Sequence, residues 1–99
     1  MKNALPPRPT VQVHLAQILA DHAEGRAEHR LSGDTVGQVL AALTARYPDL
    51  RAWIWTAQGA FNPMLAAFLN QENIAQLGGL DAPVGEGDEL MVVSALEGG

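Results

Sequence analysis

The stretch SGDTVGQVLAALTARYP, residues 32–48, decides the fold of this chain. Thr35 and Gln38, three residues apart, have the form of a capping box, which predicts that a helix begins here. Apolar residues then follow helical spacing and form one continuous stripe: Val36, Val39, Leu40, Leu43 and Tyr47. Pro48 ends the helix, because the residue before a proline is pushed out of the helical region. A helix with one apolar stripe needs a sheet to pack on.

Upstream of the helix, the pattern predicts two strands. Residues 10–15 alternate Val11, Val13 and Leu15 against polar neighbours, the period of a half-buried strand. We interpret residues 18–25 as a long hairpin connection. A polar second strand over residues 27–31 then lies at an edge of the sheet.

Downstream of the helix, apolar runs predict further strands. Residues 64–69 and 89–94 are apolar enough for strands buried on both faces. Between these runs we expect a polar turn at 70–73, a short edge strand at 74–77 and a tight turn at 85–88. Together with the helix they predict an α+β domain: a β-grasp in which a mixed sheet of four to five strands packs on one main helix.

This reading divides the chain into a flexible N-terminal segment at 1–9, a β-grasp domain at 10–95 and a flexible tail at 96–99. Since the helix covers only one sheet face, the second apolar face needs another cover. A partner protein or an oligomer would supply it, and then Phe68, Met91 and Val93 form the partner face. Alternatively, residues 53–61 fold over that face. Whichever cover applies, residues 50–55 are expected to form a short helical turn that caps the core.

The chain ends on Leu96-Glu97-Gly98-Gly99, directly after an apolar strand. At an average glycine usage of about 7 %, a chance Gly-Gly at this position has a probability of roughly 0.5 %. Two residues without Cβ make a thin thread that can enter a narrow channel, and captured termini are a known recognition mode. The alternative interpretation is an ordinary frayed terminus.

Composition excludes several function classes. The net charge of −5 disfavours nucleic acid and anionic membranes and favours a basic protein partner. The absence of cysteine excludes disulfides, thiolate metal sites and thiol nucleophiles. Neither a signal peptide nor an apolar run of about 20 residues is visible, so we expect a cytoplasmic protein.

Other constellations predict no independent chemistry. His14, His22 and His29 match no common zinc spacing, so we expect no metal site. Gly78-Gly79 lacks the Lys and Ser/Thr of a phosphate loop, and no Ser/His/Asp arrangement indicates a hydrolase. An acidic group has two interpretations, a contact for a basic partner groove or a solvated turn: Glu86, Asp88, Glu89 and Glu97.

Three segments resemble the MoaD/ThiS-type sulfur carriers, ubiquitin-like β-grasp proteins that end in Gly-Gly. The start of the helix at Ser32–Gly37, the turn Asn70-Gln71-Glu72, and the run from Gly85 through Leu90 to the tail are each similar to that family. The connection at 18–25 and Gly78-Gly79-Leu80 look more like carriers that feed cysteine biosynthesis than like short thiazole-pathway carriers. Two features depart from the pattern: Ser94, where many relatives have proline, and the long segment 53–63, which we interpret as a partner-specific surface.

The resemblance implies a function for the tail. An E1-like enzyme would adenylate the Gly99 carboxylate with ATP and magnesium, and a sulfur donor would convert it to a thiocarboxylate. Ala95, Leu96, Glu97 and Gly98 would dock in partner enzymes: the activating enzyme, a sulfur-acceptor biosynthetic enzyme, and a metalloprotease that processes a C-terminal adduct. The chain would then be a cosubstrate with no permanently bound cofactor.

Two other functions stay open. The first is a ubiquitin-like modifier joined through Gly99 to lysines of target proteins. The second is a β-grasp interaction module in which the diglycine is incidental. The acceptor pathway also stays open, with cysteine, molybdopterin or another sulfur-containing metabolite as products.

Overall fold

A computed structural model describes residues 8–95 of the chain. The predictions for residues 1–7 and 96–99 lie outside this range. The strands are β1 (Thr10–Leu15), β2 (Glu28–Ser32), β3 (Leu65–Leu69), β4 (Glu72–Asn73) and β5 (Glu89–Ser94), and the helices are α1 (Gln17–Ala20), α2 (Val36–Arg46) and α3 (Arg51–Ile54). Short 3₁₀ turns occupy Pro48–Leu50, Ile74–Gln76 and Gly79–Asp81.

The five strands form one mixed sheet in the order β2-β1-β5-β3-β4. The two central strands, β1 and β5, pair in parallel, and every other neighbouring pair is antiparallel. The long helix α2 connects β2 to β3. This is the predicted β-grasp, with β2 at the edge that its polar sequence indicates.

Helix α2 has the predicted start and end. The Thr35 hydroxyl accepts a hydrogen bond from the Gln38 amide at 3.2 Å, and the Gln38 side chain accepts one from the Asp34 amide at 2.8 Å. The helix ends at Arg46, just before the Tyr47-Pro48 pair. All five residues of the apolar stripe are buried, and burying a Leu or Val side chain contributes about 1.5–3 kcal/mol each.

Gly33 explains why the turn before the helix is tight. A Cβ at Gly33 would lie 2.9 Å from the Val39 backbone nitrogen and 3.0 Å from the Gln38 Cβ. Any larger residue therefore pushes the helix start away from β2.

The two-sided burial predicted for the later strands is wrong. In β3 the side chains of Leu65, Ala67 and Leu69 are buried, and their alternate neighbours are only half-buried. In β5 the buried residues are Leu90 and Val92. Both strands thus bury the face that meets α2 and leave the opposite face, here called the outer face, partly open. Apolar composition alone did not distinguish a half-exposed apolar face from a buried one.

Two local predictions need correction. The 18–25 connection is not simply a hairpin loop, because it overlaps α1, whose Leu19 and Ala20 enter the core together with Ala23. Residues 74–77 do not form a strand; the Asn73 side chain accepts a hydrogen bond from the Ala75 amide at 2.9 Å and starts a 3₁₀ turn. The short edge strand is β4, inside the stretch expected to be a polar turn.

None of the helices within residues 8–95 has the length and apolar character needed to span a membrane.

The segment after α2 forms the expected helical turns, and Leu50 and Ile54 enter the core. It does not cover the outer face. The Trp55 indole donates a hydrogen bond to the Thr44 hydroxyl on α2 at 3.1 Å, and Trp55 and Phe61 pack against the core. The alternative in which residues 53–61 cover the outer face is therefore wrong.

Candidate functional site

The structure shows where the diglycine tail begins. Strand β5 ends at Ser94, and the exposed Ala95 donates its backbone N–H to the Met64 carbonyl at 2.9 Å. Of the predicted tail residues, Leu96, Glu97, Gly98 and Gly99 lie outside the described residues. Ala95 is therefore the last described residue before the diglycine, directly after the C-terminal end of β5.

The outer face brings the three predicted partner-face residues together. Phe68 on β3 lies directly opposite Met91 on β5, and Val93 lies opposite Ala66 two positions further along. Met91 is 44 % exposed, whereas Phe68 and Val93 are half-buried. The result is an apolar strip that runs along the two strands toward the tail.

His14 also belongs to this face, although it was not predicted as a site residue. His14 on β1 pairs with Met91, and its two ring nitrogens each lie 3.7 Å from a carboxylate oxygen, one of Glu28 and one of Glu89. Its Nε2 is buried and has no hydrogen-bond partner within residues 8–95. The alternation that buries Val13 places His14 on the opposite face, so the signal was present in the sequence.

Two members of the acidic group, Glu86 and Asp88, have a structural explanation. The Glu86 carboxylate accepts a hydrogen bond from the Thr10 amide at 2.9 Å, and Asp88 accepts one from the Gly85 amide at 2.7 Å and one from the Asn70 side chain at 3.0 Å. These side chains hold the turn before β5. At about 3.3 Å per strand residue, Asp88 and Ala95 are about 23 Å apart, so this turn is remote from the start of the tail.

The other histidines have separate structural surroundings. His29 is buried, with its Nε2 2.7 Å from the Arg26 carbonyl and its ring edge-on to Tyr47. The His22 ring packs on Trp53, with 4.7 Å between ring centroids. Across residues 8–95 no three side chains of the metal-ligating types come together as a candidate metal site.

Asn62 joins the start of the tail to helix α3. Its side-chain amide donates to the Trp53 carbonyl at 2.8 Å, and its side-chain oxygen accepts from the Met64 amide at 2.9 Å. The Met64 carbonyl in turn holds Ala95. The Asn-Pro pair at 62–63 signals a turn, but a turn signal alone does not reveal which groups the Asn62 side chain bonds.

Comparisons with known proteins agree with this geometry. The ThiS family model matches residues 13–99. The sulfur carrier protein CysO of Mycobacterium tuberculosis is 29 % identical over 91 residues, which cover 90 % of this chain and 98 % of CysO.

Among solved structures, small archaeal modifier protein 1 (SAMP1) of Methanosarcina acetivorans superposes with a TM-score of 0.81 at 30 % identity, covering 93 % of this chain and 98 % of that one. CysO from the Amycolatopsis orientalis BexX/CysO complex superposes with a TM-score of 0.79 at 25 % identity, covering 85 % of this chain and 93 % of that one. The fold, the extent of the family match and these relatives support the same conclusion: the chain belongs to the ThiS family of ubiquitin-like β-grasp proteins.

Proposed function

We propose that this chain is a sulfur carrier that delivers sulfur as a thiocarboxylate on Gly99. The observation that carries the proposal is the family match, which runs through the diglycine to Gly99. It is supported by the similarity to the sulfur carrier protein CysO. In this role the chain is a cosubstrate, and its partner enzymes supply the catalytic groups.

The proposed chemistry begins with activation, because a carboxylate is ionised at neutral pH and is a poor electrophile. A carboxylate oxygen of Gly99 attacks the α-phosphorus of ATP, and pyrophosphate leaves with its magnesium. Hydrosulfide then attacks the acyl carbon, the bond to AMP breaks, and a thiocarboxylate remains. The absence of cysteine means that no thiol of the chain itself can intercept the acyl adenylate.

Partner enzymes are part of the proposal. An E1-like enzyme binds ATP and magnesium and performs the activation, and an acceptor enzyme receives the sulfur. The related CysO from Amycolatopsis orientalis forms a complex with BexX, which supports binding of a second protein by this fold. We propose that the outer-face strip of Phe68, Met91 and Val93 contacts these partners while the tail enters the active site.

For the acceptor, the similarity to CysO favours cysteine biosynthesis. If the acceptor reaction leaves an adduct on the carboxyl group of Gly99, a metalloprotease would hydrolyse that bond and restore the free carboxylate. Since activation consumes ATP, we place the cycle in the cytoplasm. Molybdopterin or another sulfur-containing metabolite is the competing product.

The test is the intact mass of the purified chain after incubation with ATP, magnesium, sulfide and the E1-like enzymes encoded in the same genome. We expect replacement of one oxygen by sulfur, located on Gly99 by fragmentation. The chain without Gly98 and Gly99 serves as the control and should keep its original mass. An unmodified Gly99 with every such enzyme contradicts the proposal.

A second candidate is a protein modifier, favoured by the similarity to small archaeal modifier protein 1. Its test needs a suitable protease, because the last Lys or Arg is Arg51 and trypsin would leave residues 52–99 on each target. A protease that cleaves after glutamate cuts at Glu97 and leaves Gly-Gly on the modified lysine. Such remnants in digests of cells that express the chain support conjugation, and their absence contradicts it.

A further inference from the structure

Exposed apolar side chains concentrate at the end of the molecule where the tail begins. Within residues 8–95, four large apolar side chains are exposed, and only Met91 lies within a strand of the sheet. The other three are Ile18, Trp53 and Met64, which are 46 %, 37 % and 49 % exposed. We call these three side chains the collar.

Contacts connect the collar to the start of the tail. Met64 holds Ala95 through its carbonyl, and Asn62 bonds both Met64 and Trp53. Trp53 packs on His22.

Ile18 reaches the same end by another route. It lies four residues before His22, one helical turn away along α1 and the turn that follows. The N–H of Ala16, two residues before Ile18, bonds the Val92 carbonyl on β5 at 2.9 Å, which places the start of α1 beside the end of β5.

The tail limits how far a partner can stay from the collar. Four residues follow Ala95 in the sequence, and a fully extended chain spans at most about 3.3–3.6 Å per residue, or about 14 Å in total. An enzyme that acts on Gly99 must therefore approach to within this distance of Ala95. A protein with a closed active site cannot do so without contacting the side chains around the tail.

The charge pattern indicates what kind of surface fits there. Residues 52–71 contain no charged side chain and no histidine, and neither do residues 90–96. The Asp and Glu residues of the second half of the chain lie elsewhere, several of them at the turn before β5. The segments that flank Ala95 are therefore apolar and uncharged, and charge enters the collar elements only at Asp21, three residues after Ile18, and at Arg51, two residues before Trp53. Such a surface fits an apolar partner surface better than the basic groove that the net charge of the whole chain favours.

We propose that the collar of Ile18, Trp53 and Met64 docks against an uncharged apolar rim around the tail channel of the activating enzyme. The inference rests on the proposed function, because Gly99 must be the group that the enzyme activates. The activating enzyme is the occupant because it is the partner that takes the unmodified carboxylate. The collar then determines which activating enzyme accepts this chain, and the tail supplies the reactive group.

The first test uses methyl NMR of the wild-type chain labelled at methionine. Of its three methionines, Met64 reports on the collar and Met91 on the outer face, and Met64→Gln assigns the signals. Titration with the activating enzyme should broaden or shift the Met64 methyl signal. A Met64 signal that stays unchanged while the enzyme binds overturns the proposal.

The second test measures adenylation kinetics of collar variants. Ile18→Thr keeps the branch at Cβ but loses the terminal methyl group, Met64→Gln nearly preserves side-chain shape, and Trp53→Ser removes the indole ring. Combined, they should raise the KM for the carrier about tenfold or more, the usual scale for loss of buried interface anchors, with kcat nearly unchanged. Ala45→Gln, on the exposed side of α2, is the control and should match wild type.

The outcomes separate the two proposals. A wild-type chain that no enzyme thiocarboxylates contradicts the proposed function itself. Normal thiocarboxylation of wild type and of folded collar variants, with equal KM values, overturns the collar alone. Sedimentation of the free chain tests whether a second copy of the chain binds the collar instead. A dimer that the collar substitutions dissociate would show this and overturn the proposal.

Discussion

The two ends of strand β5 differ in charge and in whether their side chains bond within the chain or remain exposed. Before β5, the turn at residues 85–88 is acidic, and its carboxylates bond neighbouring backbone and side-chain groups of the same chain. After β5, the segments that flank Ala95 carry no charged side chain, and large apolar side chains near them are exposed. The charged end uses its groups to stabilise the fold, whereas the apolar end leaves its groups available to a partner. Net charge of the whole chain therefore does not describe the surface that meets the partner.

Removal of Gly98 and Gly99 is the sharpest test of this comparison and has the largest expected effect. The shortened chain should form no thiocarboxylate, because the reacting carboxylate no longer reaches the activating site. Its thermal unfolding midpoint should stay close to wild type, since glycine has no side chain to bury in a core. Thiocarboxylation measured by intact mass, beside thermal denaturation, checks both statements. Full function without the two glycines would favour the interaction-module alternative.

Asp88→Ala should have the opposite effect and lower stability without changing the tail chemistry. The substitution removes the acceptor for the Gly85 amide and for the Asn70 side chain. We expect a loss of about 1.5–3 kcal/mol in the free energy of unfolding, because hydrogen bonds to charged groups fall in this range. Urea denaturation measures the loss, and folded protein should be thiocarboxylated at the wild-type rate. A stable variant with a slow reaction would place the acidic turn in the partner interface.

Asn62→Ala tests whether the position of Trp53 and Met64 in the collar depends on the hydrogen bonds of the Asn62 side chain. Loss of its bonds to Trp53 and Met64 should cost about 0.5–1.5 kcal/mol of stability. Because it also loosens two collar residues, we expect the KM for the carrier to rise about threefold, equivalent to about 0.6 kcal/mol. Adenylation assays well below the unfolding temperature separate the two effects. The exposed Gln58→Ala, in the nearby loop, is the control.

Of the changes considered, a higher salt concentration should have the smallest effect, measured on the affinity of the chain for the activating enzyme. If the apolar end makes the contact, raising NaCl should change the dissociation constant for the activating enzyme by less than about twofold, because screening acts on charges. Calorimetric titrations at low and high salt measure this change. A steep loss of affinity with salt would assign the contact to the acidic residues.

Much of the fold was predictable because its signals are local. The capping pair Thr35 and Gln38, the helical stripe and Pro48 set the bounds of α2 within a few neighbouring residues. Strand β5 was predicted at its observed bounds, since the turn residues before it are unambiguous. The predictions failed where a short segment depends on what it touches. Residues 74–76 have strand-like composition but follow Asn73, whose side chain caps a 3₁₀ turn instead.

The candidate site was predictable only in part. The diglycine and the strip of Phe68, Met91 and Val93 could be read from composition and alternation. Alternation alone places His14 on the face opposite Val13, but only the pairing of β1 with β5 brings it beside Met91. Trp53 was expected to belong to a partner-specific segment, but Ile18 and Met64 gave no signal, because exposure of a lone apolar residue does not show in its sequence neighbours.

By itself, the sequence determined the long helix, the strand periodicities, the turn before β5 and the chemistry of the tail, because each depends on residues within a few positions of one another. Only the tertiary structure decided which apolar face stays open and what surrounds the tail. The parallel pairing of β1 with β5 joins residues more than 70 positions apart, such as Leu15 and Val92. That pairing brings α1 beside the start of the tail, where Asn62 holds Trp53 and Met64, and local sequence patterns contain no information about contacts at such separations.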